Sequence, residues 1–297
     1  MIRYVKIWIA AARPHTLSAS VVPVIVGTAM GYALGALNWG LFTATLLATV
    51  LVQIGTNLTD EYADHDATDS AHKYAAPHKV IARGLLGPAA VKAGAALCFG
   101  VAALLGIWLV WLTGWPLLVL CLASVAVAYG YAAGPMPLGD HALGELIVFW
   151  FMGPVIVGGT LYVQTHGYGW DAFWLSVPVG ALVTAILVVN NLRDREEDAR
   201  HGRRTLVTVL GDRPLRIAYL LLLLAAFTMP FAAILAGWGG PLLVLPALTI
   251  PLAARVIGWV LGADDRETLH RALKGTSALH MAFGLLLAAG LAIGGMG

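Results

Sequence analysis

Nine apolar stretches limit what this chain can fold into. Each is long enough, or nearly so, to cross a bilayer core about 30 Å thick. They lie at roughly 17–35, 41–58, 92–112, 116–133, 144–163, 172–190, 215–236, 241–261 and 276–294. Hydrophobic residues make up 59% of the 297 residues and charged residues only 11%, and backbone polar groups in lipid must be paired within their own segment. The sequence therefore predicts an all-α integral membrane protein with nine transmembrane helices in a single domain, residues 1–297.

The positive charges predict the orientation of these helices. All eighteen Lys and Arg residues lie in or beside alternate connections. The opposite connections, near Trp39, Trp115, Trp170 and Trp238, contain none. Because Lys and Arg accumulate on the cytoplasmic side, we expect a multi-pass protein of the cytoplasmic (inner) membrane with a cytoplasmic N-terminus. This topology also explains the net charge of +2, so the charge does not indicate nucleic-acid binding.

Two acidic segments, residues 57–69 and 190–198, each begin with Asn at the end of an apolar run and together hold nine of the sixteen acidic residues. They open two long predicted cytoplasmic connections, at about 59–91 and 191–214, which follow the second and sixth helices. The spacing of four helices suggests a weak internal duplication. Such a duplication would bring both segments over one central cavity of the helix bundle.

The spacing of the carboxylates in these segments predicts a cation site. If the helices continue, Asp60 and Asp64 share one face, and Asp194 and Asp198 share another with Asn190. A buried charge on a membrane helix costs at least about 2.5–3.5 kcal/mol, so these carboxylates require a ligand. Hard divalent metals bound through oxygen, most simply Mg²⁺, meet that requirement. The outer acidic residues could equally well lie in water.

Basic residues beside the acidic segments predict what the metal would hold. They are Lys73, Lys79 and Arg83 after the first segment, and Arg193, Arg203 and Arg204 around the second. Carboxylates, metal and cationic side chains in one place suit a diphosphate, whose oxygens are shared between the metal and Arg or Lys. A P-loop is absent from the sequence, so nucleotide hydrolysis has no support.

Four stretches of the sequence then carry recognisable motifs. They are Ala-Ala-Arg-Pro-His-Thr-Leu at 11–17, the glycine-rich stretch 144–165, the second acidic segment extended to 190–206, and the last-helix stretch 273–284. Together they resemble the UbiA superfamily of intramembrane prenyltransferases over essentially the whole chain. Within that superfamily the similarity is greatest to MenA-type 1,4-dihydroxy-2-naphthoate polyprenyltransferases.

The resemblance implies transfer of a polyprenyl group from an allylic diphosphate to 1,4-dihydroxy-2-naphthoate. Carbon dioxide and diphosphate would leave, giving demethylmenaquinone for menaquinone biosynthesis. The implied catalytic and Mg²⁺-binding residues are Asp60, Glu61, Asp64, Asp194 and Asp198. The implied substrate contacts are Arg13, Asn57, Lys79, Arg83, Asn190, Arg193 and Arg204. Aromatic faces such as Tyr131, Tyr129 and Tyr62 would stabilise the allylic cation, although packing accounts for these tyrosines equally well. A role in fixing the membrane topology accounts equally well for Arg13.

Two departures and two alternatives accompany this interpretation. The family usually has Asn-Asp where this chain has Asp60-Glu61, which changes the metal geometry and leaves the acceptor open. A Lys typical of benzoate-type members is missing between Tyr129 and Pro137, which favours the naphthoate branch. The first alternative is a UbiA-type enzyme with another acceptor, such as 4-hydroxybenzoate or homogentisate. The second is a cation-coupled transporter, which is disfavoured because the carboxylates lie at helix ends and not near the bilayer midplane.

Overall fold

A computed structural model describes residues 2–66, 79–132, 141–200, 202–263 and 265–296. The backbones of Asp64, Tyr129 and Tyr131 belong to described helices, but their side chains lie outside the described part of the chain. The predicted roles of these three side chains therefore stay predictions, as does the role of Lys73.

The described residues fold into helices. They are α1 (Ile2–Ala12), α2 (Ser18–Ala33), α3 (Trp39–Asp66), α4 (Pro88–Thr113), α5 (Trp115–Ala132), α6 (Gly144–Thr165), α7 (Trp170–Arg200), α8 (Leu206–Leu210), α9 (Asp212–Leu235), α10 (Pro241–Gly262) and α11 (Arg266–Gly294). A π-helical turn interrupts α6 at Phe151–Val155, and α10 begins as a 3₁₀ helix.

Seven of the described helices are long and apolar enough to cross a membrane, namely α3, α4, α6, α7, α9, α10 and α11. Two further apolar helices, α2 and α5, are shorter. The prediction of a multi-pass, all-helical membrane protein is thus confirmed. The count of nine spans and the orientation of the N-terminus stay predictions.

The helices that contain the two acidic segments are longer than the sequence analysis predicted. Helix α3 continues to Asp66 and α7 to Arg200, so residues expected at the start of the connections 59–91 and 191–214 are helical instead. The reason is local, because neither acidic segment contains Gly or Pro, the residues that usually end a helix. The predicted phasing of the acidic residues along one helix therefore applies to both segments.

Two separate hydrophobic clusters support the two acidic segments. The main core joins α2, α6, α7 and α9–α11, and it includes Val189 and Leu192 beside the second segment. A smaller cluster joins α1, α3, α4 and the turn 80–86, and it includes Leu58 beside the first segment. The two segments consequently lie beside different hydrophobic clusters, which meet where α2 packs against α3.

Close crossings between helices within the main core depend on glycine. A Cβ atom added to Gly153 in α6 would lie 2.7 Å from the Cα atom of Gly180 in α7. A Cβ atom added to Gly180 would lie 2.7 Å from the carbonyl oxygen of Phe149. Small residues at such positions let backbones approach closely, which is how helices pack where lipid provides no hydrophobic driving force.

We expect Gly180→Ala to lower the free energy of unfolding by about 1–3 kcal/mol, because overpacking forces the two helices apart. The matched control is Gly258→Ala, since Gly258 lies on an exposed helix position with open space around it. Thermal unfolding of both variants in detergent measures the difference. Equal losses in the two variants would show that the crossing does not need glycine.

Candidate functional site

The end of α3 meets the bend that joins α1 to α2. Arg13 Nη1 donates to Asp60 Oδ2 over 3.4 Å. The amide of Asn57 donates to the carbonyl oxygen of Ala12 at 2.8 Å and to Thr16 Oγ1 at 2.9 Å. Asn57 thus acts on the bend that holds Arg13 beside Asp60, a supporting contact that sequence reasoning did not separate from ligand binding.

Arg13 itself has a left-handed backbone conformation, with φ 51° and ψ 68°. Such a conformation is uncommon for a residue other than glycine and costs of order 1–3 kcal/mol. It persists because the carbonyl of Arg13 accepts hydrogen bonds from both the amide and the hydroxyl of Thr16, each 2.9 Å long. The guanidinium is therefore held in place by the backbone as well as by its ion pair with Asp60.

Glu61 fixes the turn that follows the first acidic segment. Its side chain is almost fully buried, and its Oε1 atom accepts a hydrogen bond of 2.9 Å from the amide of Ile81. Ile81 packs with Val80 and Leu86 in the smaller hydrophobic cluster. The second oxygen, Oε2, is buried and has no hydrogen-bond partner among the described residues. This oxygen is available for the predicted metal-binding role without sharing it with a hydrogen bond among the described residues.

Lys79 lies between the two acidic segments. Burial lowers its pKa from the ordinary lysine value, and the positive charge of Arg13 lowers that pKa further. The carboxylates of Glu61, Glu197 and Asp60 act in the opposite direction. Because Glu197 belongs to α7 and the other two carboxylates to α3, Lys79 experiences the charge of both segments. This electrostatic coupling agrees with the predicted convergence of the two segments, which stays a prediction.

Arg83 ends the same turn as Lys79. Its amide donates to the carbonyl oxygen of Lys79 at 3.2 Å, and its side chain is exposed. Lys79 and Arg83, which the sequence predicted at one site, thus belong to a single short turn. Glu61 anchors this turn to α3 through the amide of Ile81.

The second acidic segment is held by two arginines. Arg193 donates through Nε to Asp194 Oδ1 at 2.9 Å and through Nη2 to Asn190 Oδ1 at 2.8 Å. Arg266 Nη2 lies 2.9 Å from both Asp194 Oδ1 and Glu197 Oε2. Asp194 is therefore placed between two guanidinium groups, and Asn190 supports Arg193.

Arg266 is a site residue that the sequence analysis missed. It begins α11 and lies 72 positions from Asp194. In the sequence it is one of several basic residues explained by topology, and no spacing rule connects it with α7. Only the packing of α11 against α7 brings the two residues together.

Asp198 completes the second segment and interacts with the connection after α7. Its carboxylate is 6% exposed and forms an ion pair of 3.6 Å with Arg203 Nη1. The charge of Arg203 also acts on Asp60 in the first segment. The predicted substrate residue Arg204 pairs through its backbone with His141, at the start of α6. Of the two neighbours, Arg203 is the one that forms the ion pair with Asp198.

A second polar pair missed by the sequence analysis lies between α6 and α7. Asn191 donates to Glu145 Oε1 at 2.8 Å, and both residues are buried. Glu145 also lines an apolar cavity of about 320 Å³ with Thr184, Val188 and Leu215. Because adjacent helical residues point about 100° apart, Asn191 faces α6 while Asn190 faces Arg193. The motif Gly-Glu-Leu at 144–146 was the only signal in the sequence.

The residues present are chemically suited to Mg²⁺. Among the described residues, no three Asp, Glu, His or Cys side chains form a group able to hold a metal ion. The donors at the two helix ends are carboxylates, the oxygen ligands that Mg²⁺ prefers, and Glu61 contributes a buried oxygen with no hydrogen bond. A complete ligand set would include Asp64, whose side chain lies outside the described part of the chain.

We expect Glu61→Ala to destabilise the protein by about 1–3 kcal/mol, because the buried amide of Ile81 would lose its acceptor. Glu61→Gln retains an oxygen that can accept this bond and should cost less. Thermal unfolding in detergent provides the measurement, and Glu196→Ala is the control because Glu196 is exposed on α7. A Gln variant as unstable as the Ala variant would contradict the anchoring role.

The fold and the site define a class of protein: a multi-pass helical membrane protein in which two acidic helix ends are paired with basic side chains. Comparison of the sequence with protein families then identifies the group. Residues 20–293 match the UbiA prenyltransferase family. The chain belongs to this family, and the resemblance stated from the sequence motifs is confirmed.

Relatives with assigned names cover most of the chain. A 1,4-dihydroxy-2-naphthoate octaprenyltransferase of Bacillus subtilis is 31% identical over 286 residues, covering 95% of this chain and 90% of the relative. A protein of the same name from Mycobacterium tuberculosis is 35% identical over 230 residues, covering 77% and 78% of the two chains.

Solved structures share the fold at low sequence identity. A UbiA homologue from Archaeoglobus fulgidus, bound to GPP and Mg²⁺, superposes with a TM-score of 0.66 at 14% identity, covering 95% of this chain and 99% of that one. A UbiA homologue from Aeropyrum pernix has a TM-score of 0.66 at 18% identity, covering 94% and 97%.

Proposed function

We propose that this protein transfers a polyprenyl group from an allylic diphosphate to 1,4-dihydroxy-2-naphthoate. Carbon dioxide and diphosphate are released, and the product is demethylmenaquinone for menaquinone biosynthesis. The observation that carries the proposal is the set of ion pairs that joins Arg13 to Asp60 at one acidic helix end and Arg193 and Arg266 to Asp194 at the other. Lys79 is coupled electrostatically to carboxylates of both segments. The choice of acceptor is supported by the relatives at 31% and 35% identity, which are named for this naphthoate.

Basic side chains at the helix ends receive the diphosphate. Arg13, Lys79, Arg193 and Arg203 already neutralise carboxylates in this region. As the bond between the prenyl carbon and the diphosphate oxygen breaks, negative charge grows on the leaving group. Fixed cations at that position stabilise the charge as it develops, which is the largest contribution such a site can make to the rate. Arg83 and Arg204 lie on the adjoining connections.

The metal-binding residues in this proposal are Asp60, Glu61, Asp64, Asp194 and Asp198. When bound, Mg²⁺ supplies a Lewis acid that draws charge from the departing diphosphate. Asn57 and Asn190 have supporting roles, since one holds the bend before α2 and the other holds Arg193.

The acceptor and the prenyl chain are bound on the membrane side of the carboxylates. Arg13 has a guanidinium that suits the carboxylate of the naphthoate, because a planar guanidinium can bind a carboxylate through two hydrogen bonds. The prenyl chain requires only apolar surface, which the bilayer and the helix bundle provide. Tyr131 is assigned to the allylic cation, whose lifetime depends on the exclusion of water.

The proposed orientation places nine spans around a central cavity, with the N-terminus and both acidic segments on the cytoplasmic side of the inner membrane. The two shorter apolar helices, α2 and α5, are the spans that this topology adds to the seven longer ones. The alternation of basic and Lys/Arg-free connections supports it. A related enzyme with another aromatic acceptor is the remaining candidate, because Asp60-Glu61 departs from the usual motif.

The test of the function is prenyl transfer by the purified protein in detergent, supplied with 1,4-dihydroxy-2-naphthoate, an allylic diphosphate and MgCl₂. Asp194→Asn and Asp198→Asn should each lower the rate by about 100-fold or more, because charge stabilisation at the leaving group is lost. Glu196→Gln, at an exposed position of α7, should leave the rate unchanged.

The pattern of products separates the two candidates. Formation of demethylmenaquinone that stops on addition of a chelator supports the proposed reaction. Product formation only with 4-hydroxybenzoate or homogentisate would retain the family chemistry and replace the acceptor. Turnover in detergent would also eliminate the transporter alternative, because no gradient exists there.

A further inference from the structure

A single nitrogen of Arg266 bridges two carboxylates of the second acidic segment. Nη2 lies 2.9 Å from Asp194 Oδ1 and 2.9 Å from Glu197 Oε2. A cation that touches one oxygen from each of two carboxylates takes the position that a divalent metal ion would take between them. Asp194 is at the same time one of the predicted Mg²⁺ ligands.

We propose that Arg266 is an internal counter-cation that competes with Mg²⁺ for Asp194. The inference rests on the proposed function, since it concerns the metal site of that function. Arg266 joins the two carboxylates in the structure, and metal binding at Asp194 would displace its guanidinium from that oxygen.

The charges of the cluster support competition. Asp194 and Glu197 are three residues apart on α7, where like charges repel each other. Arg193 and Arg266 together balance these two negative charges. A metal ion that approaches this balanced group gains less than it would beside an unpaired carboxylate. Removal of Arg266 takes away one of the positive charges beside these carboxylates and should increase the affinity for Mg²⁺.

The two arginines differ in how easily they can move. The side chain of Arg266 is 37% exposed, so its guanidinium can turn into water. The side chain of Arg193 is 13% exposed and is also bound to Asn190. The start of α11 is fixed independently, because Asp265 Oδ1 accepts a hydrogen bond of 2.8 Å from the amide of Thr268. Movement of the Arg266 side chain can therefore leave the start of α11 in place.

The experiment measures Mg²⁺ binding without substrate, by thermal unfolding of the full-length protein in detergent at increasing MgCl₂ and constant ionic strength. Constant ionic strength is needed because salt screens exposed charges. A ligand that binds the folded but not the unfolded state stabilises the protein by RT ln(1 + [L]/Kd), so the unfolding temperature begins to rise where the MgCl₂ concentration reaches Kd. The variants are Arg266→Gln and Arg266→Lys, and the control is Arg271→Gln, which changes the net charge equally at an exposed position of the same helix.

We expect Arg266→Gln to unfold at a lower temperature than the parent protein without metal, because the repulsion between the carboxylates is no longer relieved. Its unfolding temperature should begin to rise at about threefold to tenfold lower MgCl₂ than that of the parent protein, as expected for the loss of one nearby charge in a partly solvated site. Arg266→Lys keeps the charge, so its unfolding temperature without metal and its MgCl₂ requirement should lie between those of Arg266→Gln and the parent protein. Arg271→Gln should match the parent protein.

Two results would overturn the inference in different ways. If the parent protein responds to MgCl₂ but Arg266→Gln needs as much metal or more, Arg266 does not compete with the metal, and the proposed metal site remains. If the parent protein shows no response to MgCl₂, the metal site of the proposed function fails and the inference fails with it. Should Arg266→Gln not fold, Arg266→Lys alone decides, because its metal requirement must still fall below that of the parent protein.

Discussion

The neutralisation of carboxylates at two helix ends is the constraint on which the remaining structure depends. Asp60 pairs with Arg13, Asp194 with two arginines and Asp198 with Arg203. Charges at the ends of apolar helices are costly when they lack partners. The bend before α2, the turn after α3 and the start of α11 each deliver a cation or anchor to these carboxylates. Parts of the chain far apart in sequence therefore share one electrostatic requirement.

The features that follow from local sequence were predictable. The apolar stretches indicate helices because backbone polar groups in lipid must be paired within their own segment. Asp60 and Asp194 stand out because they are charged residues at positions that continue those apolar helices. The continuation of α3 to Asp66 and of α7 to Arg200 also follows from composition, since no helix-breaking residue intervenes. The prediction was wrong where charged residues at the start of 59–91 and 191–214 were assigned to connections between helices, because acidic residues are compatible with a helix.

The contacts between distant segments were not predictable. Arg266 reaches Asp194 only because α11 packs against α7, and Glu145 reaches Asn191 only because α6 does so. A single sequence contains no record of such pairings. The role of Glu61 was hidden for another reason: a carboxylate that binds a metal and one that binds a backbone amide look identical in the sequence, and only the amide of Ile81 distinguishes them.

The two acidic segments rest on separate hydrophobic clusters, one around Leu58 and the other around Leu192. A diphosphate bound to both segments would therefore add a further link between two clusters that already meet where α2 packs against α3. Part of its binding energy would be used to fix the distance between them. Release of the diphosphate would then remove this link, so the distance between the two clusters would change even for helices that do not contact the diphosphate.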